Sequence, residues 1–353
     1  MQFKGIEVFE ENTDEGLKHR QNYVDGMNAF IKRKDYEAKS IRREFLNPQK
    51  LAENPEIYRK KFTDMLGLDK LTFNSLPSSE SKYVGEDLLC QIYRITVFIT
   101  PEIPFYGILL IPHGAKDAPL VICQHGGSGT PELLCSFNGT NSYGFAAQRL
   151  LQKGAAVLAP QLLLWSRKEI ETARDYKVAY NRNEADTLLR RFGITLTGLE
   201  IKGIINSIDY CISLPQISNT KIGMAGLSYG GYYTIYTMAA DTRIKAGYSA
   251  ACFNDRGCYP WRDTNYFGSA LTFQDAEVAA LCAPRALYIT IGKEDKVFDY
   301  KTALPEVERV YTYFEAYCKL QNFKFKLWDG GHNFPEDDEG FDFLLERIDE
   351  NEK

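Results

Sequence analysis

A serine framed by glycines, a pair of adjacent carboxylates and a glycine-flanked histidine each stand just past an apolar run, and all three are types that acyl transfer uses. Gly226-Leu227-Ser228-Tyr229-Gly230-Gly231 follows the apolar Ile222 to Ala225 and precedes the helical pattern Tyr232 to Ala240. That is the strand, tight turn and helix setting that a G-x-S-x-G nucleophile turn requires. Side chains at 226 and 230 would obstruct so sharp a turn, and the hydroxyl is delivered beside a helix N-terminus, where developing negative charge is favoured.

A serine hydroxyl is a weak nucleophile until a base takes its proton and an acid holds that base in the right tautomer. Of the four histidines, His332 in Asp329-Gly330-Gly331-His332-Asn333 lies just past the expected final strand Phe323 to Trp328. His19 sits in a charged leader, His113 precedes a Gly-Ala-Lys-Asp turn, and His125 is expected to be a structural hydrogen-bonder at a strand end. The acid is expected at Asp295, in the loop Gly292 to Phe298 after the apolar run Ala286 to Ile291, with the adjacent Glu294 as the alternative. The resulting order Ser228, Asp295, His332 differs from the chymotrypsin and subtilisin orders.

An oxyanion needs backbone donors that no side chain screens. The amide of Tyr229 is one, and Gly126 and Gly127, in the loop Gln124 to Gly129 after the apolar Leu120 to Cys123, are the others expected. The loop matches neither G-x-x-x-x-G-K-[ST] nor G-x-G-x-x-G, which argues against a nucleotide site. Trp165 and Trp261 are the expected substrate-binding residues, with Tyr229 and Tyr266 beside the same rim. The eight cysteines contain no C-x-x-C pair and the histidines do not pair at ligand spacing, so no metal and no cofactor is expected.

These residues need a scaffold that brings several strand ends together. Short continuous apolar runs at Leu120 to Cys123, Ala155 to Ala159, Ile222 to Ala225, Ile244 to Cys252 and Ala286 to Ile291 read as strands buried on both faces. Helical patterns separate most of them, one carrying the stripe Ile201, Ile204, Ile205, Ile208 and Ile212. The expectation is an α/β fold, a mainly parallel central sheet with helices on both faces. Before it, Tyr93 to Ile99 alternate and turn at Pro101 to Pro104 into Phe105 to Ile111, an antiparallel pair at a sheet edge.

Residues 1–81 read as an N-terminal helical segment that packs on the core, with Tyr23, Met27, Phe30 and Ile31 on one helix and Tyr58, Phe62, Met65 and Leu66 on another begun by Asn54 and Pro55. Residues 82–353 read as the catalytic domain. Stretches of about 162–200 and 253–275 break its alternation and are expected to be lid-like insertions that shape the substrate site.

Composition narrows the classes. With 353 residues, 44% hydrophobic, and a formal charge of −5, the chain can bury a sizeable core and has no cationic excess for a phosphate backbone, so no nucleic-acid partner is expected. No window reaches the roughly 18 apolar residues of a membrane span, and Met1 to Glu15 is polar and acidic. A cytoplasmic protein with no membrane partner follows. The N-terminal helices could cover their own sheet or dock on a second copy, so a homo-oligomer stays open.

With these residues placed, the chain resembles the α/β-hydrolase superfamily over roughly residues 82 to 350, particularly bacterial esterases of the dienelactone hydrolase and acetyl xylan esterase type. Gln124 to Gly129, Gly226 to Gly231, Ala283-Pro284-Arg285, Gly292 to Phe298 and Gly331-His332 carry the likeness. The resemblance implies nucleophile Ser228, acid Asp295 and base His332, and a serine esterase acting on a small-molecule ester, of a short acyl or acetyl group and in some relatives of a sugar. The Gly-x-Ser-Tyr-Gly-Gly turn is equally similar to peptidases of the prolyl oligopeptidase type, which leaves a peptidase or amidase as one alternative. A non-catalytic binding protein of the same fold is another, and a lyase or acyltransferase on the same three residues a further one.

Overall fold

The computed structural model describes residues 1–127, 129–163 and 181–350. Leaving aside the two-residue β1 (Gln2–Phe3) and β2 (Ile6–Glu7), nine strands form one sheet. In chain order they are β3 Glu80–Glu86, β4 Cys90–Thr100, β5 Ile103–Pro112, β6 Ala118–Gln124, β7 Ala156–Pro160, β8 Ile217–Leu227, β9 Ile244–Ala250, β10 Ala286–Gly292 and β11 Phe323–Trp328. Their spatial order is β11-β10-β9-β8-β6-β7-β5-β4-β3.

From β7 to β11 every neighbouring pair is parallel. β5 runs antiparallel to β7, and β4 antiparallel to β5 with Thr96 opposite Tyr106, the antiparallel pair that the alternation predicts, although it lies one strand in from the edge. A further edge strand, β3, pairs with β4 around a bulge between Tyr83 and Gly85. Its sequence Glu-Ser-Lys-Tyr-Val-Gly-Glu is exposed on nearly every residue, so no hydrophobic alternation announces it.

Helices cover both faces, because each parallel crossover must lay one across the sheet. On one face Ile201, Ile204 and Ile208 of the helix Leu196–Cys211 and Val307, Val310 and Phe314 of the helix Tyr300–Ala316 belong to one core cluster. On the other, Leu150 and Leu151 of Ala146–Gln152 pack with Phe341, Leu344 and Ile348 of Glu339–Glu350.

The N-terminal segment forms α1 (Asp14–Phe45), α2 (Pro48–Glu53) and α3 (Pro55–Leu66). Phe62 and Leu66 of α3 join the first core cluster, as their spacing predicts. Asn54 stands at the start of α3 without a side-chain capping bond, whereas Asn47 caps α2 by accepting from the Lys50 N–H (2.9 Å). The expectation for α1 is corrected. Tyr23, Met27, Phe30 and Ile31 do share a helix, but all four are exposed. The helix meets the body only near its end, where Ala38 and Arg42 are buried and Arg42 donates to the Ala270 carbonyl (2.6 Å). Among the described residues no helix is long and apolar enough to cross a membrane.

Candidate active site

The C-terminal ends of β6, β8, β10 and β11 open on one side of the sheet, and the loops that leave them bring the expected residues together, as open α/β sheets do for ligands. β8 runs straight into the turn. Ser228 takes φ 60°, ψ −121° at the N-cap of the helix Tyr229–Ala240, a conformation sparsely populated for a residue with a side chain, which the surroundings must enforce. They do so at close quarters. The Ser228 N–H donates to the Ala250 carbonyl (2.8 Å) at the end of β9. A Cβ on Gly226 would collide with the Gly230 backbone, and one on Gly230 with the carbonyl of Gln124. Both glycines are therefore required by packing.

His332 and Asp295 meet across the ends of β11 and β10. Their loops touch because a Cβ on Gly292 would strike the carbonyls of Gly330 and Gly331. His332 Nδ1 lies 2.8 Å from Asp295 Oδ2, and Asp295 Oδ1 accepts from the N–H groups of Val297 (2.7 Å) and Phe298 (3.1 Å). Burial would raise the Asp295 pKa, but the His332 bond and the two N–H groups outweigh it and hold the carboxyl below its usual range. Glu294 is exposed and its side chain makes no such contact. Of the adjacent pair, Asp295 is the one in contact with the imidazole. The Phe298 ring lies against the imidazole at 5.8 Å between centroids.

Ser228 and His332 line the same cleft, of about 410 Å³, with Gly126, Gly127, Tyr229 and Trp261. The expectation that both Gly126 and Gly127 offer amides is corrected. The Gly126 N–H donates to the Tyr143 hydroxyl (3.0 Å), so that donor is already engaged. A Cβ on Gly126 would sit 2.9 Å from the Leu227 carbonyl, so its glycine is needed for close approach of the two loops. Gly127 and Tyr229 line the cleft, and the Tyr229 N–H, at the first residue of its helix, has no carbonyl partner within that helix.

His125 is buried behind this loop. Its Nδ1 bonds the Gly126 carbonyl (2.9 Å) and its Nε2 accepts from the Leu162 N–H (3.0 Å). Burial lowers its pKa to about 4, which keeps the ring neutral and makes it the structural hydrogen-bonder the sequence suggests.

Trp261 stacks on the Tyr229 ring (5.4 Å, 20° between planes) and forms a wall of the cleft. Tyr266 is buried and donates to the Phe273 carbonyl (3.0 Å), which makes it core. Trp165 lies outside the described residues, as does 164–180 of the expected 162–200 insertion.

Two parts of the site have no local sequence signal. Tyr143 is one. The other is a buried ionic cluster behind Tyr229, in which the Tyr229 hydroxyl donates to Asp263 Oδ1 (3.3 Å) and Arg182 Nε to Asp263 Oδ2 (2.7 Å). Arg182 also makes a two-pronged pair with Glu200 (3.0 and 2.9 Å) and reaches the Tyr233 hydroxyl (2.9 Å). Burial first, and then the Asp263 carboxylate, push the Tyr229 phenol well above its usual range, so it stays a donor. The cluster ties the described part of 162–200 to 253–275 and to the helix that follows Ser228.

No family model and no curated protein matches the chain. Solved structures do. The chain is similar to a Bacteroides fragilis protein assigned as an acetyl xylan esterase, with a TM-score of 0.65 and 14% identity over 85% of this chain and 83% of that one. It is similar to a methylesterase, with a TM-score of 0.63 and 17% identity over 92% and 68%. A glucuronoyl esterase from Solibacter usitatus gives a TM-score of 0.58 and 13% identity over 82% and 92%. The chain has the α/β-hydrolase fold these structures share.

Proposed function

We propose that the chain is a serine hydrolase that cleaves a short carboxylic ester through a covalent acyl-enzyme. One observation carries the reading. Ser228, on its strained turn, and His332, with Nδ1 held 2.8 Å from Asp295, line one cleft at the start of a helix. Nothing in a solvated-loop reading explains why a histidine, a buried carboxylate and a strained serine should converge there.

In this reading Asp295 accepts a hydrogen bond from the Nδ1–H of His332, which fixes the tautomer and leaves Nε2 free as the base. Ser228 Oγ attacks the ester carbonyl carbon while its proton passes to His332 Nε2, and the new oxyanion lies against the amides of Gly127 and Tyr229. The bond from carbon to the alcohol oxygen then breaks, and His332 returns the proton to that oxygen. Water attacks the acyl group with His332 again as base, the carboxylic acid leaves, and the serine is restored.

The structural neighbours named for acetyl, methyl and glucuronoyl esters support an ester over an amide. The stacked Trp261 and Tyr229 give the cleft a flat aromatic wall of the kind that accepts a sugar face, so an acyl ester of a sugar is the substrate class we favour. The test is fluorophosphonate labelling with peptide mass mapping, run beside p-nitrophenyl acetate turnover on the same sample. Labelling at Ser228, lost together with turnover in Ser228→Ala, is expected. A folded protein that resists the probe overturns the reading in favour of a binding protein.

A further inference from the structure

The projecting part of α1 carries an apolar stripe that nothing in the described chain covers. Leu17, Val24, Ile31 and Ala38 recur at intervals of seven, which keeps them on one side of the helix, with Met27 beside them. The last of the series, Ala38, is buried against the body, where the helix packs on residues 269–271. The others stay in solvent: Val24 is 40% exposed, Ile31 47% and Leu17 55%, with Tyr23 and Phe30 widening the patch. The same face that is used for packing at one end is therefore presented bare along the rest.

Such a helix needs a partner. Residues 14–37 span about 36 Å at 1.5 Å per residue, and contain Gly16, Gly26 and two asparagines, which are poor helix formers that packing normally compensates. Charge indicates the partner. Glu7, Glu10, Glu11, Asp14 and Glu15 outnumber Lys18 and Arg20 at the outer end, and Lys32, Arg33 and Lys34 outnumber Asp35 and Glu37 at the inner end. Within the helix Arg33 and Lys34 share the single carboxylate of Glu37, so the inner end keeps a positive balance. A second copy laid antiparallel and centred near Val24 sets Leu17 opposite Ile31 and sets Asp14 and Glu15 of each copy opposite Lys34 and Arg33 of the other. A parallel copy sets like charges together.

We infer that the 14–37 part of α1 is a homodimerisation arm that pairs antiparallel with the same segment of a second copy. The inference stands apart from the esterase reading, since no residue of the cleft takes part.

The test is sedimentation equilibrium of the full chain over a dilution series. The wild type is expected as a dimer. Val24→Glu/Ile31→Glu is expected as a folded monomer with unchanged ester turnover, because neither position touches the cleft or the core of its own chain. Two charge variants test the charge pairing: Lys32→Glu/Arg33→Glu/Lys34→Glu and Glu10→Lys/Glu11→Lys/Asp14→Lys/Glu15→Lys are each expected to be monomeric alone and to form a heterodimer when mixed. A wild type that stays monomeric, or a dimer that survives Val24→Glu/Ile31→Glu, overturns the inference. So does a monomer whose arm binds anionic phosphatidylserine vesicles, which would make the stripe a lipid-facing surface. Charge variants that fail to recombine overturn the charge-matched pairing on which the inference rests.

Discussion

His332 Nδ1 and Asp295 Oδ2 lie 2.8 Å apart, while the other oxygen of that carboxylate is occupied by the N–H groups of Val297 and Phe298. The carboxylate is thus held from behind by its own loop and has one oxygen left for the imidazole. Both functions require acceptors, and only an ionised carboxylate supplies two. Asp295→Asn offers one oxygen and one NH2. If its oxygen keeps the loop, its NH2 faces Nδ1 and forces the proton onto Nε2, where the base must be free. Turnover of p-nitrophenyl acetate is expected to fall about 10⁴-fold with KM little changed, the scale of this substitution in serine protease triads. Glu294→Gln is expected to leave turnover within about twofold, since an exposed side chain with no imidazole contact has no such role. Reversal of these two outcomes would transfer the acid's role to Glu294.

Tyr143 controls the neighbouring loop. Its hydroxyl accepts from the buried Gly126 N–H, and removing it leaves that donor without a partner, a loss of about 1–3 kcal/mol. Tyr143→Phe is expected to lower the denaturant midpoint accordingly and to lower kcat, because Gly127 is carried by the loop thus released. Tyr143→Phe with an unchanged midpoint and unchanged kcat would show that the loop holds its place without this bond.

What was legible in the sequence was the chemistry that glycine spacing and strand ends impose. Ser228, Asp295 and His332 could be placed because each follows a short apolar run and each loop is marked by glycines, which the structure shows to be needed where backbone meets backbone. What was not legible depends on distant partners. Gly126 and Gly127 look equivalent until Tyr143, 17 residues on from Gly126, engages one of the two amides. Arg182 and Asp263 stand 81 residues apart in separate insertions, and only the fold buries them together. The stripe of α1 is visible as a period, yet a period identifies a face and not what covers it. β3 escaped because a polar edge strand has no core side to give it alternation.

The Arg182 cluster gives a stability prediction. Arg182 lies between Glu200 and Asp263, with all three side chains at most 8% exposed. Arg182→Met leaves two buried carboxylates without their cation, which costs about 3–5 kcal/mol for a buried pair broken on one side. Adding Asp263→Asn is expected to restore part of that loss, because one of the stranded charges is gone. Urea unfolding of the two single variants and the double variant measures it. Strictly additive losses would mean that the three groups do not act as a unit. Trp261 is carried on the stretch that this cluster anchors, so KM for the ester is expected to rise in Arg182→Met more than kcat falls.

His125 gives the pH dependence of folding. Buried and neutral, it is held at a pKa of about 4 in the folded chain against an ordinary 6.5. Between those values the unfolded chain binds a proton that the folded chain refuses. Stability from this residue is therefore complete above pH 6.5, falls as the pH drops through the window, and levels off below about 4. The full excursion is on the order of 3 kcal/mol, and about 2 kcal/mol of it falls between pH 7 and pH 5. His125→Gln has no titrating ring and is expected to lower stability at pH 7, where it forfeits the fit between the Gly126 carbonyl and the Leu162 N–H. Its loss on going from pH 7 to pH 5 should then be about 2 kcal/mol smaller than that of the wild type, since every other carboxylate and histidine is common to both. Urea midpoints at the two pH values decide it. Parallel pH slopes would mean that His125 is protonated in the folded chain at pH 5, and that the loop carrying Gly126 and Gly127 accommodates an imidazolium.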